Sequence, residues 1–107
     1  MKRLLMGLAL TTLLTSAAGL ASAQTATPRV DRREVRQQMR ISHGVQSGQL
    51  TPRETARLER GQRHVQRMEH RAKADGVVTP AERRHLARAQ NHQSREIYRL
   101  KHNARHA

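Results

Sequence analysis

From residue 28 onward the apolar residues of this chain are sparse, and they recur at intervals of three and four rather than alternating. Leu58, Gly61, Val65, Met68 and Ala72 form one such stripe, and Leu86, Ala89, Gln93, Ile97, Leu100 and Ala104 form another. On a 3.6-residue period each stripe covers one face of a helix. A broader and weaker stripe, Val35, Gln38, Met39, Ile41 and Val45, precedes them. The spacing predicts three helices, over about Pro28 to Val45, Pro52 to Ala74 and Pro80 to Asn103.

The junctions carry a repeated phrase. Gly48-Gln49-Leu50-Thr51-Pro52-Arg53-Glu54 returns as Gly76-Val77-Val78-Thr79-Pro80-Ala81-Glu82. Each shared residue suits a helix corner: glycine for a left-handed stop, Leu50 or Val78 as a hydrophobic staple, threonine as N-cap. Pro52 and Pro80 fit the first helical position, where no amide donor is needed, and Glu54 and Glu82 close capping boxes. The second copy also imitates half of a calcium loop, but Arg71 and Lys73 stand where oxygen ligands are required, which excludes that ion. Short corners make consecutive helices antiparallel. The expected fold is therefore all-α, a small antiparallel three-helix bundle, or a helical hairpin with a loosely docked first helix. Residues 28–107 form the single domain and residues 24–27 a flexible lead-in.

The segment before it reads differently. Lys2 and Arg3, an apolar run from Leu4 to Leu14, and the small residues Ala21-Ser22-Ala23 make the three parts of a cleavable signal peptide over residues 1–23. The run is too short to span a bilayer, which takes about 20 residues. A periplasmic or secreted protein is expected. With no cysteine, no Phe or Trp and Tyr98 as the single aromatic residue, the core must be thin, so stability is marginal or shared, as in a homo-oligomer.

Without the leader, 19 Lys and Arg stand against 8 Asp and Glu, a formal charge of +11. Such a field draws a protein toward anionic partners. Arginines also recur at helical intervals: Arg32, Arg36 and Arg40; Arg53, Arg57, Arg60, Arg67 and Arg71; Arg84, Arg88, Arg95 and Arg99. Their planar forks suit bidentate contacts to phosphate or carboxylate, and those on the second and third helices are the candidate partner-binding residues. Pairs such as Glu59 with Arg63 and Glu69 with Lys73 neutralise only part of the surplus. Nucleic acid is a poor match, because base-stacking aromatics and a recognised binding module are both missing.

Seven histidines form a second constellation. His102 and His106, at i and i+4, could chelate a divalent transition metal if the last helix reaches them, whereas Met39 and Met68 suit the core better than a copper site. No resident cofactor is expected. Ser42, Ser47 and Ser94 lack a coherent His and carboxylate arrangement, and no glycine-rich phosphate loop occurs, so the chain reads as non-enzymatic.

With these corners and the tail NHQSREIYRLKHNAR, the chain resembles small exported proteobacterial proteins that share the G-x-L-T-P-x-E turn and a basic, His-containing end. It bears a fainter resemblance to the Spy-like periplasmic stress proteins with their L-T-x-x-Q motif, against which Leu50-Thr51-Pro52-Arg53 is followed by Glu54. The first resemblance implies a fold and an address, and the second an ATP-independent chaperone or stress accessory. The expected function is a basic helical binding protein engaging acidic proteins, unfolded clients or anionic envelope components, including contact with a membrane surface. The alternatives are histidine-based metal buffering and an oligomeric structural role in the envelope.

Overall fold

The computed structural model describes residues 25–104, and the leader expected over residues 1–23 lies outside the described residues. Three helices follow one another: α1 (Pro28–Gln46), α2 (Pro52–Lys73) and α3 (Pro80–Lys101). Each begins at a Thr-Pro pair. At α2 and α3 the full capping box is present: Thr51 and Thr79 accept from the amides of Glu54 and Glu82, whose carboxylates accept from the threonine amides in return. Gly48 and Gly76 have φ of 76° and 86°, the left-handed conformation that lets the chain leave a helix without a Cβ clash. Leu50 and Val78 then drop into the core at 2% and 4% exposure, packing into the two apolar clusters; the residues a staple would meet at the fourth helical position, Thr55 and Arg83, are not apolar.

Contacts between the helices fix the order up, down, up. Against α1, α2 runs antiparallel: Gln38 donates to Glu59, while Thr27 at the other end donates to Glu69. In contrast, α1 and α3 run parallel, with Arg83 donating to the Ala26 carbonyl and Arg40 to Ser94. All three pairs of helices touch, so the first helix is docked, and the fold is the three-helix bundle and not the hairpin.

The core is thin and divided. Ile41, Leu50, Leu58, Ile97 and Leu100 pack at the α1–α2 corner end, and Val30, Ala72, Val78 and Leu86, joined by Met68, at the other. Burying each large side chain contributes about 1.5–3 kcal/mol. Between the clusters lies a layer of buried glutamines, Gln37, Gln62, Gln90 and Gln93. Gln37 donates to the Gln90 carbonyl, Gln90 to Val30 and Gln93 to Leu58, so these amides tie each helix to the backbone of another. Gly61 makes room for this layer: a Cβ there would stand 2.2 Å from the Gln93 amide oxygen.

The expected stripes of α2 and α3 face inward, except that Ala104 lies beyond the helix and is exposed. Of the stripe expected on α1, only Ile41 does. Val35, Met39 and Val45 are 60%, 65% and 47% exposed, so Met39 is no core residue, and the buried face is Val30, Gln37, Ile41 and Gly44. Those four, with half-buried Glu34 among them, fall at heptad-like intervals of three and four. Polar residues take core positions because partners await them across the seam, and the apolar ones between are turned outward.

Candidate functional site

The two sides of α1 differ in charge. At about 100° per residue, Arg29, Arg32, Arg33 and Arg36 fall within an arc of about 100°, beyond one edge of the buried face. Asp31 and Glu34 fall beyond the other. Across from the four arginines, the first full turn of α3 presents Arg83 and Arg84. Together these six line an open groove of about 710 Å³ between α1 and α3, floored by Val30, Ala87 and Gln90, and no carboxylate lines it. Arg83 is fixed by its bond to the Ala26 carbonyl at 2.9 Å.

The other side, facing α2, is acidic, with Asp31 exposed, Glu34 half-buried and Glu69 buried. Asp31, Glu34 and Glu69 bring carboxylate oxygens within 4.8 Å of one another. Glu69 accepts from Thr27 at 2.6 Å and from Lys73 at 2.9 Å. Thr27, the last residue of the expected flexible lead-in, is thus 1% exposed and anchored, and its hydroxyl caps no helix. Burial, then hydrogen bonding to Glu69 and repulsion from Glu69 and Asp31, push the Glu34 carboxyl up to about 7. Burial alone would raise Glu69 too, but hydrogen bonds from Thr27, Lys73, Asp31 and Glu34 outweigh it and hold that group down at about 2. Asp31 is raised as well, first by burial and then by its hydrogen bond to Glu69. One Glu34 oxygen is enclosed without a partner among the described residues. A proton on Glu34 lets it donate to Glu69, and the cluster then carries one shared proton and one ammonium.

All nine arginines expected to bind partners, Arg53, Arg57, Arg60, Arg67, Arg71, Arg84, Arg88, Arg95 and Arg99, are exposed, but they do not share one face. Arg84 lines the α1–α3 groove. Arg57, Arg60 and Arg88 line a second groove, of about 600 Å³, between α2 and α3, with His64, His85 and His92. Arg95 and Arg99 sit farther along the α1–α3 seam with Arg40. Arg57 is held by Glu96 at 2.7 Å, and Arg99 bonds the same carboxylate. Arg29, Arg33 and Arg83 escaped the sequence reading. Their signal was the 29/32/33/36 spacing together with the parallel course of the first and third of three helices.

The expected histidine pair required the last helix to run through it. Helix α3 stops at Lys101, His102 is its C-cap, and the imidazole stacks on Tyr98 at 4.0 Å with Nδ1 2.7 Å from the Tyr98 carbonyl. The helix thus ends just before the first of the two histidines, and His106 lies outside the described residues. Of the two expected ion pairs, Glu69 with Lys73 forms, whereas Glu59 accepts from Gln38. Among the described residues no helix is long and apolar enough to cross a membrane. No protein-family model, curated protein or solved structure matches the chain.

Proposed function

We propose that this is a non-enzymatic, strongly basic helical protein of the bacterial periplasm that binds anionic partners: acidic proteins, unfolded clients or anionic envelope components. The observation that carries the reading is the placement of its acids. Glu54 and Glu82 close the caps, Glu59 holds Gln38, and Glu96 holds Arg57 and Arg99. Asp31, Glu34 and Glu69 face one another. Seven of the eight carboxylates thus serve the fold, Asp75 in the α2–α3 corner being the eighth, and most arginines are left to the surroundings.

A protein built this way binds through its field, and its affinity falls with ionic strength as exposed charges are screened over about 8–10 Å. Co-sedimentation with anionic and neutral vesicles, and with an acidic unfolded protein, across a salt series tests this. Binding that persists undiminished in high salt removes the electrostatic reading.

A further inference from the structure

Resting on that reading of a basic binding protein, we infer that the α1–α3 groove is a discrete site for a compact ligand carrying two or more phosphate groups. Six arginines line it, Arg29, Arg32, Arg33 and Arg36 on one wall and Arg83 and Arg84 on the other, with Arg83 held by the Ala26 carbonyl. General surface charge would scatter them. Here the acids of the same helix, Asp31 and Glu34, are withdrawn to the opposite seam and engaged with Glu69, so the positive field of the groove is not cancelled. The second groove, between α2 and α3, differs in this respect, because Glu96 lies within it and pairs with Arg57.

The size and spacing select the ligand. Along α1 the arginines extend from residue 29 to 36, about 10 Å of axial rise, with i,i+4 neighbours about 6 Å apart. A single phosphate is satisfied by one or two arginine forks and leaves the others repelling one another. Two or three linked phosphates reach both ends of the row and Arg84 across it, and the groove volume of about 710 Å³ accommodates them. The same chemistry is offered by a soluble polyphosphate or by the phosphorylated headgroup of a lipid. The apolar floor at Val30 and Ala87 leaves space for the uncharged scaffold that holds the phosphates.

Calorimetric titration of the full chain with inorganic phosphate, pyrophosphate and tripolyphosphate tests the site. A parallel arm uses phosphatidylcholine vesicles with and without a bis-phosphorylated glycolipid. Tripolyphosphate is expected to bind one to one and at least about tenfold tighter than inorganic phosphate, a difference of about 1.4 kcal/mol. Arg32→Glu with Arg36→Glu is expected to remove most of that preference. Arg63→Glu with Gln66→Glu, a comparable change of charge at exposed α2 positions outside both grooves, is expected to leave it nearly intact. Circular dichroism confirms that both double variants remain helical. Tighter vesicle than tripolyphosphate binding, lost in the groove variant, identifies the headgroup as the source, and the reverse identifies the soluble anion.

Equal losses in the two variants overturn the groove while leaving the general anion-binding reading in place. Absence of binding to every probe overturns both. A single-stranded oligothymidylate that displaces tripolyphosphate more effectively than the glycolipid does overturns the choice of a compact ligand.

Discussion

The two seams of α1 are built from the same eight residues of chain and have opposite character. Toward α2, Asp31 and Glu34 meet Glu69, Thr27 and Lys73 in a hydrogen-bonded cluster centred on the buried Glu69. Toward α3, Arg29, Arg32, Arg33 and Arg36 face open space across from Arg83 and Arg84. Acids and bases alternate in sequence, yet at about 100° per residue Asp31 and Glu34 turn to the α2 side while the four arginines fall within one arc on the α3 side. The helix therefore sorts them, and the difference separates a structural use of charge from an available one. Charge toward α2 should govern stability, and charge toward α3 should govern binding.

The largest effect is expected from Glu69→Ala. It leaves the Thr27 hydroxyl and Lys73 without their acceptor and should cost about 2–3 kcal/mol at neutral pH. That is a fall of roughly 10–20 °C in the melting midpoint of a domain this size. A melt unchanged in midpoint would deny the acidic seam its structural role.

A smaller effect concerns pH. Glu34 has a folded value above its unfolded one, so its contribution is fully present below about 4.5 and is lost as pH rises through about 7. Glu69 is depressed, so its contribution is present above about 4.5 and is lost as pH falls toward 2. The folded pair thus keeps one proton over the interval in which the unfolded pair goes from two to none. Stability should peak in mildly acidic solution and decline toward neutrality. Glu34→Gln keeps a donor toward Glu69 without the titration, and should flatten the alkaline side. After allowance for solvent screening it should raise stability at pH 8 by about 1 kcal/mol, or about 4–8 °C. Thermal melts of both proteins across this range check the two claims together.

The smallest effect on stability belongs to the arginine side. Arg32→Glu with Arg36→Glu should move the melt by no more than about 0.5 kcal/mol, as for other exposed positions. The same pair should lower the salt dependence of binding to anionic vesicles. A large loss of stability instead would show that the groove is part of the fold's support and not an open site.

Much of the bundle is legible in the sequence because its corners are written in residues with narrow uses. Thr-Pro followed by Glu at the third helical position permits little besides a capped helix start, and Gly48 and Gly76 mark the stops. The faces of α2 and α3 are legible because Leu58, Val65, Leu86, Ile97 and Leu100 dominate them. On α1 the same reasoning fails, since Val35 and Met39 advertise a face that the bundle leaves outside. Glu34 and Gln37 enter the interior because Glu69 and the Gln90 carbonyl receive them, and a partner on another helix is invisible to a local pattern. The arginine groove is half legible: spacing shows the row on α1, but only the parallel placement of α3 adds the second wall.

Three helices cannot cancel one another electrically. With α1 and α3 parallel and α2 opposed, about one helix of aligned peptide dipoles, each about 3.5 D, remains unbalanced along the long axis. Its positive pole lies at the helix starts near Pro28 and Pro80, the end that also holds the six guanidinium groups. Near a negatively charged surface this residual dipole would add a torque favouring approach by that end. The α1–α2 corner, with Gly48 and Leu50, is then carried outermost.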